Sequence, residues 1–520
     1  MFGFKDLYHQ IFVESNNKNF LIYYQNGNRV VLSNTDYIHY IDSISCRVTE
    51  LLKSISLGSW VGIKCKNNPF WFAIVFGILK SGYRVLLLDE NVPDVLLANY
   101  VAQADLKAIV VDTPIDVKDV ATIDYLELIS SNPEQDTAED NWADSIAFCT
   151  SGTTGNAKIF VFNAYALSRQ TSSIAGFISS DEAIIDMFNL GEDAKYNVLS
   201  FLPFRHCTGF GATLAIWQLQ YTVVLPKQMN IMGIIQTIKE EEVFLTVSVP
   251  AYLKAFLRLC RGTFKTLDRA SFRRLFGDTL KIVINAGAKI DSITIDEYLK
   301  LGISFLNGYG MTEIGILSIG NSAKYGSSEY VGYPIDSNSI VKVLNEEDDT
   351  LLEDGFGQLM VRSDSMFYGV LKDGVVEKLP LYKDTYYSTG DLFKVSNREI
   401  FYVGRDKNVI INDGGENVYP EELMEHFEVL SDYVEQFCIF GIDEKPTLIL
   451  YLKDGADIDS TIKQVIIERN SVLPIHKKIS KVLVSNSKLP LTTKGEVSIK
   501  NIKDTLSKNT TNIKEVTLKG

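Results

Sequence analysis

Short apolar, β-branched runs alternate with amphipathic helical segments over the first two thirds of the chain, and this alternation limits the fold more than any other feature. Helical periodicity extends, for example, over Ile38 to Lys53 and Val249 to Leu259. Between such segments lie five runs typical of buried strands: Arg84 to Asp89, Ala108 to Asp112, Val198 to Leu202, Thr222 to Leu225 and Lys281 to Ala286. This alternation is typical of α/β proteins. We therefore predict an α/β fold whose large N-terminal domain has mostly parallel sheets flanked by helices.

The pattern changes after residue 350, where short strands follow one another more closely. The strands predicted there are Gln358 to Arg362, Glu399 to Val403, Gln436 to Ile442 and Thr447 to Leu452. Helices are predicted near Pro420 to Glu428 and Thr461 to Asn470. A small α+β domain at the C-terminus lies within the usual size range. We place the boundary near Gly404, giving a large domain over residues 1–404 and a small one over residues 405–520.

Charge and composition exclude several classes of protein. The net charge of −14 and the pI near 5.0 argue against a nucleic-acid binder, which needs a basic surface. The longest apolar run, Phe70 to Leu79, is too short to span a bilayer, so no membrane span is expected. The N-terminal residues lack the pattern of a signal peptide, and the six cysteines are scattered without a CxxC pair. We therefore expect a cytoplasmic protein.

The densest chemical motif follows the predicted strand Ser145 to Cys149. Its hydroxyls, its glycines and one lysine are Thr150, Ser151, Gly152, Thr153, Thr154, Gly155 and Lys158. The glycines allow a ligand to approach the backbone closely, and the hydroxyls and amides offer donors to phosphate oxygens. The spacing is not that of a Walker P-loop. A Ser/Thr-rich surface turn is the alternative interpretation.

A second motif runs from Asn307 to Glu313 and includes Gly308, Tyr309, Gly310 and Thr312. Tyr309 has a ring that stacks on a purine, and Thr312 is a donor for a phosphate. Glu313 is a hard oxygen ligand of the kind that Mg²⁺ prefers. The alternative is a turn that leads into a helix, with Thr312 and Glu313 as capping residues.

A third motif combines Asp391, in Ser388 to Leu392, with Arg405 and Lys407, in Gly404 to Lys407. Beside a nucleotide, Asp391 is placed to accept hydrogen bonds from both ribose hydroxyls. Arg405 offers a planar fork of donors to ribose or phosphate. An ordinary turn is the alternative for an aspartate that follows a glycine.

These stretches, in this order, resemble the adenylate-forming, AMP-binding superfamily of acyl-CoA synthetases, aryl-acid ligases, luciferases and nonribosomal-peptide adenylation domains. The loop Gly414 to Glu422 resembles the segment that opens the small domain of that superfamily. The resemblance extends from about residue 20 to residue 500 and depends on motifs that, taken singly, are weak. It implies a mobile small domain that swings about Lys407.

The resemblance also implies a reaction, its cofactors and its partners. A carboxylate attacks the α-phosphate of ATP, pyrophosphate leaves, and a thiol then captures the acyl-adenylate. The implied requirements are ATP, Mg²⁺ and coenzyme A or phosphopantetheine, with a small carboxylic acid and an acyl or aryl carrier protein as partners. By similarity, residues 150–155 and Lys158 hold the β- and γ-phosphates. Thr312 contacts the α-phosphate, Glu313 the metal, Tyr309 the adenine and Asp391 the ribose.

The segment Pro203 to Gly209 resembles the part of the superfamily that borders the acyl site, with His206 at the gate position. Members that activate amino acids carry an aspartate at the next position, where this chain has Cys207. Because a buried ammonium without a partner is costly, we predict a substrate that lacks an α-amino group. Ala286, Gly287 and Ala288 are predicted to line the pocket, which admits either a flat ring or a chain. A structural core histidine is the alternative for His206.

One position departs from the superfamily pattern. A lysine is expected after the glycine in Leu489 to Val497, and this chain has Glu496 there. A unit charge about 4 Å away contributes roughly 4 kcal/mol at an effective dielectric constant of 20, so this exchange opposes adenylation. Lys494 or Lys500 could supply the missing charge, with Lys494 the first candidate; a solvent-facing turn is its alternative.

Three functions therefore remain open from the sequence. The first is an acid–thiol ligase that forms AMP, acting on an aryl or acyl acid. The second is an amide-forming ligase on the same scaffold. The third is a catalytically impaired nucleotide-binding homologue, suggested by Glu496.

Overall fold

The computed structural model describes residues 2–130, 140–149, 158–179, 182–191, 195–345, 348–411, 417–452, 458–492, 495–507 and 513–516. Helices and strands are numbered in chain order. The helices are α1 Phe4–Tyr8, α2 Asn34–Leu51, α3 Trp71–Lys80, α4 Asp94–Ala104, α5 Tyr125–Ile129, α6 Ala164–Ile178, α7 Glu182–Phe188, α8 Cys207–Gln218, α9 Ile231–Glu240, α10 Pro250–Phe264, α11 Arg269–Phe276, α12 Ser292–Lys300, α13 Pro420–His426, α14 Ser460–Ser471 and α15 Ile499–Ser507.

The strands vary from two to ten residues in length. They are β1 Leu21–Gln25, β2 Asn28–Leu32, β3 Trp60–Lys64, β4 Arg84–Leu87, β5 Ala108–Val111, β6 Ala121–Asp124, β7 Ile146–Cys149, β8 Ile159–Phe162, β9 Asn197–Leu199, β10 Thr222–Val224, β11 Leu245–Ser248, β12 Ile282–Asn285, β13 Ser304–Met311, β14 Gly315–Asn321, β15 Tyr333–Pro334, β16 Ile340–Asn345, β17 Thr350–Leu352, β18 Gly355–Arg362, β19 Gly369–Lys372, β20 Val375–Glu377, β21 Tyr387–Ser396, β22 Glu399–Arg405, β23 Ile410–Ile411, β24 Asn417–Val418, β25 Gln436–Ile442, β26 Lys445–Tyr451, β27 Lys481–Ser485 and β28 Ile513–Val516.

Two large sheets form the first part of the molecule. In the nine-stranded sheet the strands lie side by side in the order β15-β14-β13-β12-β11-β9-β10-β1-β2. In this spatial order, all neighbouring strands from β13 to β1 are parallel. In the eight-stranded sheet the spatial order is β20-β19-β8-β7-β4-β3-β5-β6. All neighbouring strands from β7 to the edge strand β6 are parallel. Helices form most of the crossover connections between these parallel strands, and a loop without a helix joins β5 to β6. The predicted α/β architecture and each of its five predicted buried strands are confirmed.

Three smaller sheets follow among the described residues, one of them the two-stranded sheet β23-β24. The five-stranded antiparallel sheet β17-β16-β18-β21-β22 ends at Arg405, and the four-stranded sheet β25-β26-β27-β28 lies beyond it. Residues from Ile410 to Val484 form a hydrophobic cluster of their own between α13, α14 and the four-stranded sheet. Mixed helices and mostly antiparallel strands in this last part confirm the predicted α+β character.

The apolar run that follows Phe70 forms helix α3, which is buried on every face from Trp71 to Leu79. A helix that is apolar all round needs a core on all sides, and α3 packs against α2 in the largest hydrophobic cluster. Within the described part of the chain, no helix is both long and apolar enough to cross a membrane.

Candidate functional site

The hairpin β13–β14 carries the second motif. Strand β13 continues the parallel sheet beside β12, and β14 returns antiparallel to it. The pairing shifts register at Tyr309 and Gly310, and a Cβ on Gly310 would lie 2.3 Å from the carbonyl oxygen of Gly315. Only glycine fits this close approach of two backbones. Thr312 and Glu313 occupy the turn between the strands, so the alternative of a turn into a helix is wrong.

The side chain of Asn307 holds this hairpin in place through hydrogen bonds in the protein interior. Its side chain is buried, accepts a hydrogen bond from Asn285 Nδ2 at 2.8 Å, and donates to the carbonyl oxygens of Ser328 and Tyr330 at 3.1 and 3.2 Å. A buried amide with its partners satisfied holds neighbouring segments in one arrangement. Asn307 therefore positions the motif that begins with it, since its side chain is directed into the protein.

Tyr309 and Asp391 come from different sheets and meet at the site. The Tyr309 hydroxyl donates to Asp391 Oδ2 at 2.8 Å. Burial raises the pKa of Tyr309 well above its ordinary value, and the Asp391 carboxylate raises it further. A neutral phenol and an ionised carboxylate form a charge-assisted hydrogen bond. The structure thus brings the predicted adenine and ribose residues together.

Arg405 lies directly opposite Asp391 in the β21–β22 pairing, and its Nε is 3.6 Å from Asp391 Oδ1. Burial opposes the charge on Arg405, but the Asp391 carboxylate, Tyr402 and Glu496 together raise its pKa. The backbone N–H of Asp391 donates to Thr389 Oγ1 at 3.1 Å. The third motif therefore presents a carboxylate and a guanidinium side by side, next to Tyr309.

Glu313 has a partner that the sequence motifs did not reveal. Burial raises the pKa of Tyr387, and the Glu313 carboxylate, in hydrogen-bonding contact with this phenol, raises it further. The backbone of the Glu313 turn is also tied down, since Phe367 N–H donates to the Glu313 carbonyl oxygen at 3.1 Å. The only sequence signal for Tyr387 is its place in the aromatic run just before Asp391.

The first motif falls mainly on residues 150–157, which lie outside the described residues. The strands on either side of it pair with each other, with Cys149 opposite Ile159. Lys158, directly before β8, is exposed. Strand β8 in turn accepts a hydrogen bond at Val161 from Tyr368, the neighbour of the Phe367 that contacts Glu313. The strand that follows the motif is therefore linked to the Glu313 turn.

An apolar cavity opens beside Tyr309. It lies between α6, α8 and the nine-stranded sheet. Its lining includes Ala286, Gly287 and the segment Gly308 to Gly310. The lining residues from the described part of the chain include no charged side chain. The cavity and the polar residues described above therefore share the Tyr309 segment as a common wall.

Cys207 and Ala288 are each next to a residue that lines the cavity, and His206 directly precedes Cys207. Cys207 is the first residue of α8, and Thr208 after it lines the cavity. The Nε2 atom of His206 contacts the guanidinium of Arg205, which pairs with Asp89 at 3.0 Å and Glu90 at 2.6 Å. The Ala288 carbonyl oxygen accepts from Asn285 Nδ2 at 3.0 Å. The pocket roles of these three residues stay predictions.

The turn that carries Glu496 approaches the start of α10. Thr492 N–H donates to the Glu496 carbonyl oxygen at 2.7 Å, and Gly495 adopts a left-handed φ of +79°. A Cβ on Gly495 would lie 3.8 Å from that of Ala251. The Glu496 side chain is exposed, and it is one of the charges that raise the pKa of Arg405. Lys494, the predicted substitute for the missing lysine, lies outside the described residues.

A buried charge cluster links α10 to the last part of the chain. Lys254 Nζ lies 2.8 Å from Asp291 Oδ2 and 2.6 Å from Glu428 Oε1. Burial opposes ionisation of Asp291, but Lys254 outweighs it and holds the pKa of Asp291 below its ordinary value. Sequence reasoning did not predict this cluster, because its members are far apart along the chain and belong to no motif.

The molecule is thus an α/β protein with a polar cleft beside an apolar cavity. The chain belongs to the AMP-binding enzyme family, whose sequence profile matches residues 40–371.

The individual relatives have low sequence identity to this chain. The chain is 22% identical over 438 residues to 2-succinylbenzoate–CoA ligase of Staphylococcus aureus, covering 79% of this chain and 84% of that one. The fold is similar to that of o-succinylbenzoate CoA synthetase from Bacillus subtilis, solved with ATP and a magnesium ion (TM-score 0.75, 19% identity, 96% and 99% covered). It is also similar to ATP-bound MatB from Rhodopseudomonas palustris (TM-score 0.76, 19% identity, 97% and 99% covered). At these identities the likeness shows the fold.

Proposed function

We propose that this protein is an AMP-forming acid–thiol ligase. It activates a carboxylic acid to an acyl-adenylate with release of pyrophosphate, and then transfers the acyl group to the thiol of coenzyme A or of carrier-protein pantetheine. The observation that carries this proposal is the shared wall at Gly308 to Gly310. On one side Tyr309 meets Asp391, and on the other side lies an apolar cavity. This arrangement supports a reaction in which a carboxylate at the cavity mouth meets a nucleotide bound in the cleft.

The roles of the cleft residues follow from their chemistry. Tyr309 offers its ring to adenine, and Asp391 accepts from ribose hydroxyls, with Arg405 as a donor beside it. Thr312 and Lys158, with residues 150–155, bind phosphates. Glu313 fits a magnesium ion, because Mg²⁺ is commonly held by one or two carboxylates together with substrate phosphates. When bound, the ion neutralises phosphate charge.

The cavity supports a substrate without an α-amino group. An ammonium taken out of water needs an anionic partner. Cys207 stands where amino-acid-activating relatives have an aspartate, and the lining of the cavity from described residues carries no carboxylate. His206, with its Nε2 against the Arg205 guanidinium, lies at the gate position and holds the acid near the mouth.

The second half-reaction requires a rearrangement. We propose that residues 405–520 form a small domain that rotates about Lys407, which lies in a short 3₁₀ turn just after β22. Rotation of this kind gates many enzymes with two half-reactions. Glu496, close enough to Arg405 to raise its pKa, takes the place of a cation that would otherwise assist adenylation. Lys494 or Lys500 supplies that cation in an active enzyme.

The location and the acyl acceptor belong to the same proposal. A cytoplasmic enzyme meets ATP, magnesium and coenzyme A together. Coenzyme A is the favoured acceptor, and a carrier protein is the alternative source of the same thiol.

Acid-dependent exchange of labelled pyrophosphate into ATP tests the first half-reaction. Exchange that requires both magnesium and an acid supports the proposal, and mass spectrometry with coenzyme A or amines then separates thioester from amide formation. Nucleotide binding without exchange for any acid, and without thioester from a supplied acyl-adenylate, would identify the protein as a non-catalytic homologue, which Glu496 makes the strongest rival.

A further inference from the structure

The length and the lining of the apolar cavity indicate which class of acid it can bind. Thr208, Ala212, Ala215 and Ile216 line it from α8, and Leu219 lines it just after the last residue of α8, so the cavity follows this helix along its whole length. These positions repeat at three- and four-residue intervals, which places them on one face of the helix. From the first to the last is eleven residues, or about 16 Å at 1.5 Å per residue.

The sheet gives an independent measure of the same length. Leu245 lines the cavity at the start of β11, and Ala286 lines it just past the end of β12. Since Leu245 pairs with Ile282, the lining spans four residues along the strand direction. At about 3.3 Å per residue this is about 13 Å. Helix α8 links β9 to the parallel strand β10, so it runs antiparallel to the strands and both measures describe one channel.

Aromatic rings close the far end. Tyr221 and Phe188 line the cavity there, and behind Tyr221 lie the rings of Tyr196 at 4.8 Å and Phe244 at 5.6 Å between centroids. Burial raises the pKa of Tyr221 to about 12. The mouth, by contrast, is at Gly308 to Gly310 and Ala286, beside the proposed nucleotide residues. A ligand therefore enters from the mouth and extends toward a closed aromatic end.

The channel also lacks a partner for a second charge. A benzoate that carries a succinyl group has two carboxyl groups, and one of them stays ionised after the other is activated. The described residues that line this channel are apolar except for Thr208, Tyr221 and Tyr309. An ionised carboxylate buried there without a cation would be strongly disfavoured. The described lining of the channel therefore lacks the cation that the second carboxylate of a dicarboxylic acid needs.

We infer that the substrate is a straight-chain monocarboxylic fatty acid of medium length, and neither a flat aryl acid nor a dicarboxylic acid. This inference rests on the proposed function and adds the substrate class to it. Carbon–carbon bonds near 1.5 Å advance an extended chain by about 1.25 Å per carbon, so a channel of 13 to 16 Å holds about ten to thirteen carbons. A single aromatic ring leaves most of that length empty, which forfeits apolar contact.

A panel of acids tests this inference through pyrophosphate release. The acids are the even-numbered straight chains from butanoate to hexadecanoate, with benzoate, 2-succinylbenzoate and dodecanedioate. Dodecanedioate matches dodecanoate in length and adds a carboxylate at the closed end. We expect decanoate or dodecanoate to have the highest kcat/KM, at least about a hundredfold above dodecanedioate and benzoate. A preference for benzoate, 2-succinylbenzoate or butanoate would overturn the inference while leaving the proposed function intact.

Variants of the channel make the test specific. Ala215→Phe blocks the middle and should move the preferred length to butanoate or hexanoate, with Ala212→Leu giving a smaller shift. Tyr221→Ala removes part of the closed end and should move the optimum to longer chains. Tyr165→Ala makes the same change on an exposed tyrosine outside the channel and should leave the optimum unchanged. An unmoved preference in folded Ala215→Phe and Ala212→Leu would overturn the inference.

Calorimetric binding of decanoate separates the two possible failures. If no acid supports turnover, the proposed function fails, and binding still tests the channel. Decanoate that binds the wild-type protein at least tenfold more tightly than it binds Ala215→Phe supports the channel. Equal binding to both proteins, or none to either, contradicts it.

Discussion

The polar cleft and the apolar channel share one wall but are built in opposite ways. In the cleft, Asp391 forms charge-assisted pairs with both Tyr309 and Arg405. In the channel, no charged side chain from the described residues lines the space. This difference indicates that the cleft selects its ligand by the positions and charges of its side chains. The channel selects an acid by its chain length and excludes charged groups. The four predictions that follow test this contrast, beginning with the largest expected effect.

Outside the channel, Asp291 and Glu428 are buried carboxylates that share the cation Lys254. Lys254→Met leaves Asp291 and Glu428 buried without their cation. Removing one member of a buried pair destabilises by about 3–5 kcal/mol, so the midpoint of urea denaturation should fall markedly. Adding Asp291→Asn and Glu428→Gln to Lys254→Met should restore most of the loss. An unchanged midpoint in Lys254→Met would show that this interior tolerates unpaired charge, and the argument against a dicarboxylic acid would weaken.

Glu313→Gln tests the metal role in the cleft. Loss of one unit charge near a cation removes roughly 4 kcal/mol at an effective dielectric constant of 20, equivalent to about a thousandfold in rate. We expect kcat/KM for adenylation to fall by about that factor and the magnesium concentration for half-maximal rate to rise. Glu353→Gln makes the same change on a carboxylate that is 86% exposed, and it should have no effect. Equal rates in the two variants would remove Glu313 from the metal site.

Glu496→Lys introduces the cation that the superfamily pattern has at this position. Because attraction replaces repulsion near the phosphates, adenylation should speed up by about ten- to a hundredfold. Thioester formation from a supplied acyl-adenylate should not change. Glu496→Gln removes the negative charge alone and should be intermediate. A slower Glu496→Lys enzyme would mean that the carboxylate acts through Arg405, whose pKa it helps to raise.

Removal of a hydroxyl from each region gives the most direct comparison and the smallest effect. Tyr309→Phe loses the hydrogen bond to Asp391 and should raise the KM for ATP by about tenfold, since a hydrogen bond to a charged group is worth about 1.5–3 kcal/mol. Tyr221→Phe makes the same change at the closed end of the channel and should alter the kinetics by less than about twofold. Similar losses in both variants would break the distinction between the two regions.

The cleft and the channel also differ in how much of each could be predicted from the sequence. Asn307 to Glu313 is one contiguous motif, and Asp391 and Arg405 face each other across a hairpin, so short patterns were sufficient to find them. Five strands of the parallel sheets were predictable because each is a mostly buried, apolar run. The turn at Thr312 and Glu313 was ambiguous, since the same residue types cap helices and fill hairpin turns.

The remaining features depend on distant residues. Tyr387 contacts Glu313, and Lys254 pairs with Glu428 at a separation of 174 residues. The channel is lined by residues between Ile174 and Ile319 that belong to several helices and strands. Each of these residues is an ordinary core residue taken alone. Only tertiary packing places them along one channel, so the choice between ring and chain was open from the sequence.

The central claim is that a carboxylate from the channel attacks a phosphate bound in the cleft. Incubation with ATP, magnesium, coenzyme A and dodecanoate labelled with ¹⁸O in both carboxyl oxygens tests it directly. The account predicts AMP that carries one ¹⁸O atom, because the carboxyl oxygen stays on the phosphate when the thiol takes the acyl group. Unlabelled AMP, or ADP in place of AMP, would contradict it.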